Sequence, residues 1–285
     1  MPISFRPTKS MNLNQIEAAI IIYTFQTTNV QPSFSEEKLI STFLDVGVRK
    51  TLLSLHNQRF VDQEVLNLLV CKLTFNQKKF SAIVSAWFLP TYFSQYVLKR
   101  GERPELVQKI RRIYQERFMG KACDLRKIFI PINDDNIHWY LLVVDINSKT
   151  LNVLDSLPSP SRRLSTRLDV KKLAVYLEEI LTDSSFYDSS DDERLLISDY
   201  ALTVPEGIGR QLNGSNDCGV WVAQWMSECI WTNNYSNVSV TPETRMRLAL
   251  DLVLGSYNEL RDEVVQKASK NWMELVSNRK KLVQV

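Results

Sequence analysis

The middle third of the chain changes its period. Lys127–Ile132 (KIFIPI), His138–Ile146 (HWYLLVVDI) and Thr150–Leu154 (TLNVL) are rich in β-branched and aromatic residues, and the polar turns Asn133–Asn136 and Asn147–Lys149 divide them. These runs read as an antiparallel meander. On both sides the apolar residues recur at helical spacing instead. Asn12–Phe25 carries Ile16, Ala19, Ile20 and Tyr23, and Asp62–Leu73 carries Val65, Leu66, Leu69 and Val70. Arg103–Phe118, with Pro104 near its first turn, and Ser165–Thr182 are two more predicted helices. Phe80–Leu98 reads as mostly helical with a break at Pro90, and Leu195–Val204 as a further strand. The run VWVAQWMSECIW after Cys218 reads as a buried helix, and Thr241-Pro242 opens a helical tail. Helices and strands segregated in blocks predict an α+β fold, a central, mostly antiparallel sheet flanked by helices.

Composition excludes several classes. A hydrophobic fraction of 44% beside 24% charged residues is that of a globular chain rather than a disordered one. A formal net charge of +3 is too slight for a nucleic-acid footprint, which calls for a domain pI above about 9 and clustered basic residues. The longest apolar runs, Ala18–Tyr23 and Trp139–Val144, fall far short of the roughly 20 residues that cross a bilayer. The first residues lack a basic start, apolar stretch and cleavage site, so the expectation is a soluble, intracellular monomer, nuclear or cytosolic. Residues 1–58 look like a helical extension without chemistry of its own, and residues 59–285 like the main domain. The serine-rich acidic stretch Asp183–Glu193 is expected to be a mobile loop.

Four cysteines, Cys71, Cys123, Cys218 and Cys229, are scattered without a Cys-x-x-Cys pair, which argues against a zinc ribbon, a redox pair or a disulfide framework. Cys71, Cys123 and Cys229 read as core thiols. Cys218 differs. Four of the eight glycines (Gly207, Gly209, Gly214, Gly219) crowd around RQLNGSNDCGVW, and an apolar helix follows at once. A thiol in that first turn meets unsatisfied N–H groups and the positive dipole end, which favour a thiolate, with Asp217 placed to cap the turn. Position alone leaves Cys218 either a reactive thiol or the first buried residue of a core helix.

A reactive thiol needs a base, and that base needs an orienting group. The chain has two histidines, His56 and His138. His138 opens one strand of the predicted hairpin and Asp155 closes the next, so antiparallel pairing sets them side by side at one end of the sheet. His56 reads as structural or exposed.

His138-Trp139, Leu154-Asp155-Ser156-Leu157, Gln211 and Asp217-Cys218-Gly219 occur in an order that resembles the ubiquitin-like-protein-specific cysteine proteases, the SUMO-protease family related to adenovirus protease. The resemblance runs from about Phe60 to Trp231. It implies a papain-like cysteine peptidase fold, with Cys218 as nucleophile, His138 as base, Asp155 orienting the imidazole and Gln211 as an oxyanion donor. It also implies that Trp139, Phe60 and Gly219 touch a C-terminal diglycine, that no metal or organic cofactor is used, and that the partner is a SUMO-type modifier and its conjugates. Three departures stand out: Phe60 replaces the family's usual Trp, Gln63 replaces an acidic residue, and the Gln211–Cys218 spacing is one residue longer than the commonest pattern. Two other functions fit the same residues: an acyltransferase on the same scaffold, distinguished by a stable acetyl-enzyme, and a module that grips a modifier without cutting it. The stripe Leu260, Val264, Ala268, Trp272, Leu275 and Val276 reads as self-packing core.

Overall fold

The meander forms where the change of period predicts it, within a computed structural model that describes residues 7–26, 32–81, 83–99, 107–189 and 192–283. In chain order the helices are α1 (Gln15–Thr24), α2 (Pro32–Ser35), α3 (Arg49–Leu53), α4 (Gln63–Phe80), α5 (Thr91–Leu98), α6 (Val107–Phe118), α7 (Arg163–Leu181), α8 (Cys218–Glu228), α9 (Pro242–Leu254) and α10 (Arg261–Val283). The strands are β1 (Lys38–Ser41), β2 (Val46–Val48), β3 (Ala86–Phe88), β4 (Lys127–Asp134), β5 (His138–Asp145), β6 (Thr150–Leu154) and β7 (Ala201–Thr203). They group into two compact units, one of Leu73–Ser239 and one that joins the residues up to Lys72 with those from Val240 onward.

In the first unit the sheet runs β3-β4-β5-β6-β7, with an antiparallel centre and a parallel pair at each margin. Every residue of β5 is buried, as expected of a strand covered on both faces, and α8 packs on it. Lys127, at the start of β4, is buried, and burial lowers its pKa. Its Nζ donates to the carbonyls of Cys229 (2.8 Å) and Thr232 (2.7 Å), just past the end of α8. A cation there complements the negative end of the helix dipole and ties the tail of α8 to the sheet.

Three expectations for this unit are corrected. Phe80–Leu98 is not helix on both sides of a break, because Ala86–Phe88 is strand β3. Trp87 and Phe88 are fully buried beside β4, and a tertiary partner overrides local propensity in so short a run. Of Leu195–Val204 only Ala201–Thr203 pairs as a strand, and Ile197–Asp199 is a 3₁₀ turn. The acidic stretch is anchored at Phe186, which is fully buried with its ring 5.8 Å from Trp87 and whose carbonyl accepts from the Ala122 N–H at 2.8 Å. Residues 103–106 of one predicted helix and 190–191 of the acidic stretch lie outside the described residues.

The second unit holds α1, whose N-terminus is closed by a reciprocal Asn14–Glu17 capping box, and the β1–β2 hairpin, so the expected helical extension also contains strands. Helix α1 packs on α10 and α9. The terminal stripe is core only in part: Val264 and Ala268 are 1% exposed, but Leu275 is 40% and Val276 39% exposed. Ten residues of α1 span about 15 Å and the 23 of α10 about 35 Å, so a partner that short leaves the far end of α10 uncovered.

A buried cation organises this unit. The Arg49 side chain is inaccessible to solvent. Its guanidinium reaches Glu37 Oε2 at 2.5 Å and the carbonyls of Tyr23 and Thr24, and it lies 3.8 Å from the Phe34 ring centroid. Glu37 also accepts from Tyr23 Oη (2.7 Å) and Lys267 Nζ (3.1 Å). Burial raises the Glu37 pKa, but the hydrogen bonds from Arg49, Tyr23 and Lys267 outweigh it and hold the carboxyl below its ordinary value. This contribution is present above the unfolded carboxyl pKa near 4.3 and is lost as pH falls through the lower folded value. Glu37→Gln leaves Arg49 without its counter-charge and is expected to cost about 3 kcal/mol in urea unfolding at pH 7. The difference from the unaltered chain should shrink toward pH 3.

Candidate active site

Cys218 is the first residue of α8 and is 2% exposed. Asp217 is the N-cap residue, but its side chain makes no capping bond; its backbone carbonyl accepts from the Trp221 N–H at 2.9 Å. The expected Asp217 cap is therefore corrected, because its backbone is already in the αR region, where the side chain does not reach back to the first-turn amides. The segment leading to the thiol lies close on α8. A Cβ built on Gly209 would sit 2.1 Å from the Trp221 ring, so only glycine fits there.

The base reaches the thiol from β5. Strands β5 and β6 pair as far as Leu141↔Leu154, so one step further sets Asp155 opposite Tyr140 and makes His138 its diagonal neighbour on the same face. His138 Nε2 donates to Asp155 Oδ1 at 2.7 Å. With that nitrogen taken, Nδ1 is left for sulfur, and the Cys218 side chain hydrogen-bonds the same ring. Burial lowers the His138 pKa, but the hydrogen bonds to Asp155 and Cys218 and the Asp155 charge outweigh it and push it up to about 9. Asp155 is itself held. Its Oδ1 accepts from the Leu157 N–H at 2.8 Å, its carbonyl accepts from Arg210 Nη1 at 3.1 Å, and Arg162 Nη2 lies 3.8 Å from Oδ2. Arg162 also reaches Asp134 Oδ2 at 3.4 Å and the Leu157 carbonyl.

Gln211 joins the group through Ser156, the residue after Asp155. Ser156 Oγ donates to Gln211 Oε1 at 2.9 Å, and the Gln211 N–H donates to the Ser156 carbonyl at 3.0 Å. Gln211 Nε2 donates to the Ser215 carbonyl at 2.9 Å, which uses one of its two protons and fixes the direction of the other. The turn Leu212–Ser215, with Gly214 at φ +80°, takes up the extra residue between Gln211 and Cys218. Ser156 and Arg162 escaped the sequence reading. The signal for Ser156 was its place beside Asp155, and for Arg162 a pair of arginines opening a helix, where the dipole disfavours cations.

The other expected residues divide. Gly219 is buried in the first turn of α8. Trp139, expected to face substrate, is 1% exposed and so is corrected to a packed position, because β5 is covered on both faces. Phe60 lies half-buried ahead of α4 in the other unit, as does half-buried His56, whose carbonyl faces Arg245. Cys71 and Cys229 are core thiols that burial pushes up to about 12 and about 11. Cys123 is not core: it is exposed in the loop after α6 and donates to Asp188 at 3.5 Å.

A thiol at a helix start, an imidazole in contact with it and a carboxylate behind the imidazole define a thiol–imidazole–carboxylate site of the cysteine-hydrolase type. The Ulp1 protease family, C-terminal catalytic domain, matches residues 59–270, and the chain belongs to that family. Human sentrin-specific protease 2 is 28% identical over 197 residues, covering 67% of this chain and 29% of its own length. The chain thus spans less than a third of the curated relatives of this kind. Among solved structures, SUMO protease Ulp1 with its catalytic cysteine oxidised to a sulfenic acid superposes with a TM-score of 0.62 at 18% identity, over 89% of this chain and 97% of the other. The C-terminal Ulp1 protease domain in complex with Smt3, the yeast ortholog of SUMO, gives 0.59 at 18% identity, over 86% and 97%. These likenesses establish the α+β fold.

The raised His138 pKa yields a prediction with a definite sign. Its stabilisation is fully present below the unfolded value near 6.5 and is lost as pH rises through about 9. In Asp155→Asn the main opposition to burial is gone, so the NMR midpoint of the His138 ring should fall from about 9 to 6.5 or below. The stability gap between the two proteins should close above pH 9.

Proposed function

We propose that the chain is a thiol-dependent peptidase that cleaves the isopeptide or peptide bond after the C-terminal diglycine of a ubiquitin-like modifier, SUMO-type above the others. The observation that carries this reading is the 2.7 Å His138–Asp155 bond behind an imidazole in contact with Cys218. Family membership and the complex of the related Ulp1 domain with Smt3 support the substrate class.

The Cys218 thiolate attacks the glycine carbonyl carbon, and the C=O pair moves onto oxygen. The second Nε2 proton of Gln211 and the first-turn amides of α8 face that oxyanion. As the tetrahedral intermediate collapses, the C–N bond breaks and imidazolium His138 gives its proton to the leaving amine. Neutral His138 then takes a proton from water, which attacks the thioester and releases the modifier's carboxylate, and the thiolate–imidazolium pair is restored. Asp155 keeps the ring in the tautomer that presents Nδ1 to sulfur. Cys218 and His138 are at most 5% exposed, so an approach this closely packed favours a glycine end over any residue with a side chain.

In this reading the catalytic domain begins at residue 59 and residues 1–58 are an addition to it. The enzyme acts as a monomer in a reducing compartment, nucleus or cytosol, where the Cys218 sulfur stays reduced.

A panel of SUMO-type, ubiquitin and Nedd-type modifiers with electrophilic C-termini tests the proposal. A mass shift at Cys218 with the SUMO-type probe, absent in Cys218→Ala, is expected. No adduct with any probe, or an adduct that survives in Cys218→Ala, overturns it. On a cleavable conjugate, Cys218→Ala should lower turnover at least about a thousandfold. Gln211→Ala should lower kcat by about 10²- to 10³-fold with KM little changed.

A further inference from the structure

A second concave site adjoins the candidate active site and has no place in the mechanism above. It is a 620 Å³ cavity bordered by Asp155, by Arg162, Arg163 and Arg167 from the start of α7, and by Leu202 and Val204 at β7. We propose that this cavity recognises an acidic, extended segment of the protein from which the modifier is removed. The proposal deepens the peptidase reading and rests on it for the identity of the partner.

Charge is the first argument. The cavity has three guanidiniums against one carboxylate, and that carboxylate, Asp155, is committed to His138. Arg162 is engaged by Asp134 and Asp155, whereas Arg163 and Arg167 are exposed and have no acidic partner among the described residues. Both stand in the first two turns of a 19-residue helix with no acidic residue in its first turn, where the helix's own field opposes cations. Packing does not require them there, and a local rule broken at the surface without a structural return is a mark of function.

The second argument is the kind of anion. Pro158, Pro160, Val153, Leu202 and Val204 make much of the wall, and no aromatic residue lines it. Nucleic acid would call for stacking surfaces, whereas an apolar wall with flanking guanidiniums suits a peptide of mixed acidic and apolar residues. Among the described residues strand β7 pairs only with β6 and lies at the margin of the sheet, so its outer backbone can accept an extended chain. Leu202 and Val204, two residues apart, both border the cavity, and Val204 is 58% exposed.

The third argument is proximity. Asp155 borders the cavity and bonds the imidazole that delivers its proton to the leaving amine. Residues near the modified lysine are the part of the target protein brought closest to that imidazole.

Fluorescence anisotropy with a labelled peptide of alternating Glu and Val tests the site directly. The purified chain should bind it at low salt, less tightly as salt rises, and about tenfold less tightly in the Arg163→Glu/Arg167→Glu double variant. No binding, an unchanged affinity in the variant, or equally tight and equally sensitive binding of an oligothymidylate of the same charge overturns the proposal. A kinetic arm addresses the partner. The double variant should raise KM for a modifier linked to lysine within an acidic peptide, and leave hydrolysis of the modifier's coumarin amide unchanged. Equal loss on both substrates also overturns it. If the unaltered chain cleaves neither substrate, the peptidase reading fails, and the anisotropy result still decides whether the cavity takes an acidic peptide.

Discussion

The hydrogen bond between His138 and Asp155 is where fold and chemistry meet. It exists because two adjacent strands run in opposite directions, so that the beginning of one stands beside the end of the other. Its strength is a matter of surroundings. An imidazole this well buried would, by desolvation alone, lose its proton more easily; instead the carboxylate and the thiol hold it protonated to well above neutrality. The carboxylate is in turn restrained by a backbone N–H and by Arg162, so the orienting group is itself oriented.

The rest of that unit can be understood as support for the third member, the thiol. Helix α8 lies on β5, and its tail is caught by Lys127 of β4. The strand that carries the base and the neighbouring strand that grips the helix therefore belong to one rigid sheet, paired residue by residue from Lys127↔Asp145 to Asp134↔His138. A one-residue slip in that pairing would turn His138 to the opposite face and remove it from sulfur. Gln211 is fixed by the same logic, since both ends of its amide are occupied by Ser156 and Ser215 before any substrate oxygen arrives.

Much of this was legible in the amino-acid order because it rests on local signals. The three meander strands announce themselves by their β-branched and aromatic runs and by polar turns, and the placing of His138 beside Asp155 needs only those strands and their order. Strand β3 was hidden because three residues cannot establish a period, and its identity comes from β4. The burial of Trp139 and the exposure of the far end of α10 were hidden for the same reason in opposite directions: periodicity shows which side of an element is apolar, not how much covering a neighbour provides. The contacts of Arg162 join residues 134, 155, 157 and 162 across two loops, and no spacing rule encodes such a convergence.

The approach of Gly209 to Trp221 carries a consequence for how such a chain can diverge. Even one methyl group at 209 would overlap the indole. The two positions are therefore not independent: a larger residue at 209 is tolerable only in a lineage that has first reduced the ring at 221. Trp221 in turn lies 5.4 Å from Trp225, so that reduction would open a hollow beneath the thiol's own helix. Substitution at this glycine is thus a concerted event, and pairs of changes at 209 and 221 are the trace it would leave among divergent copies of the fold.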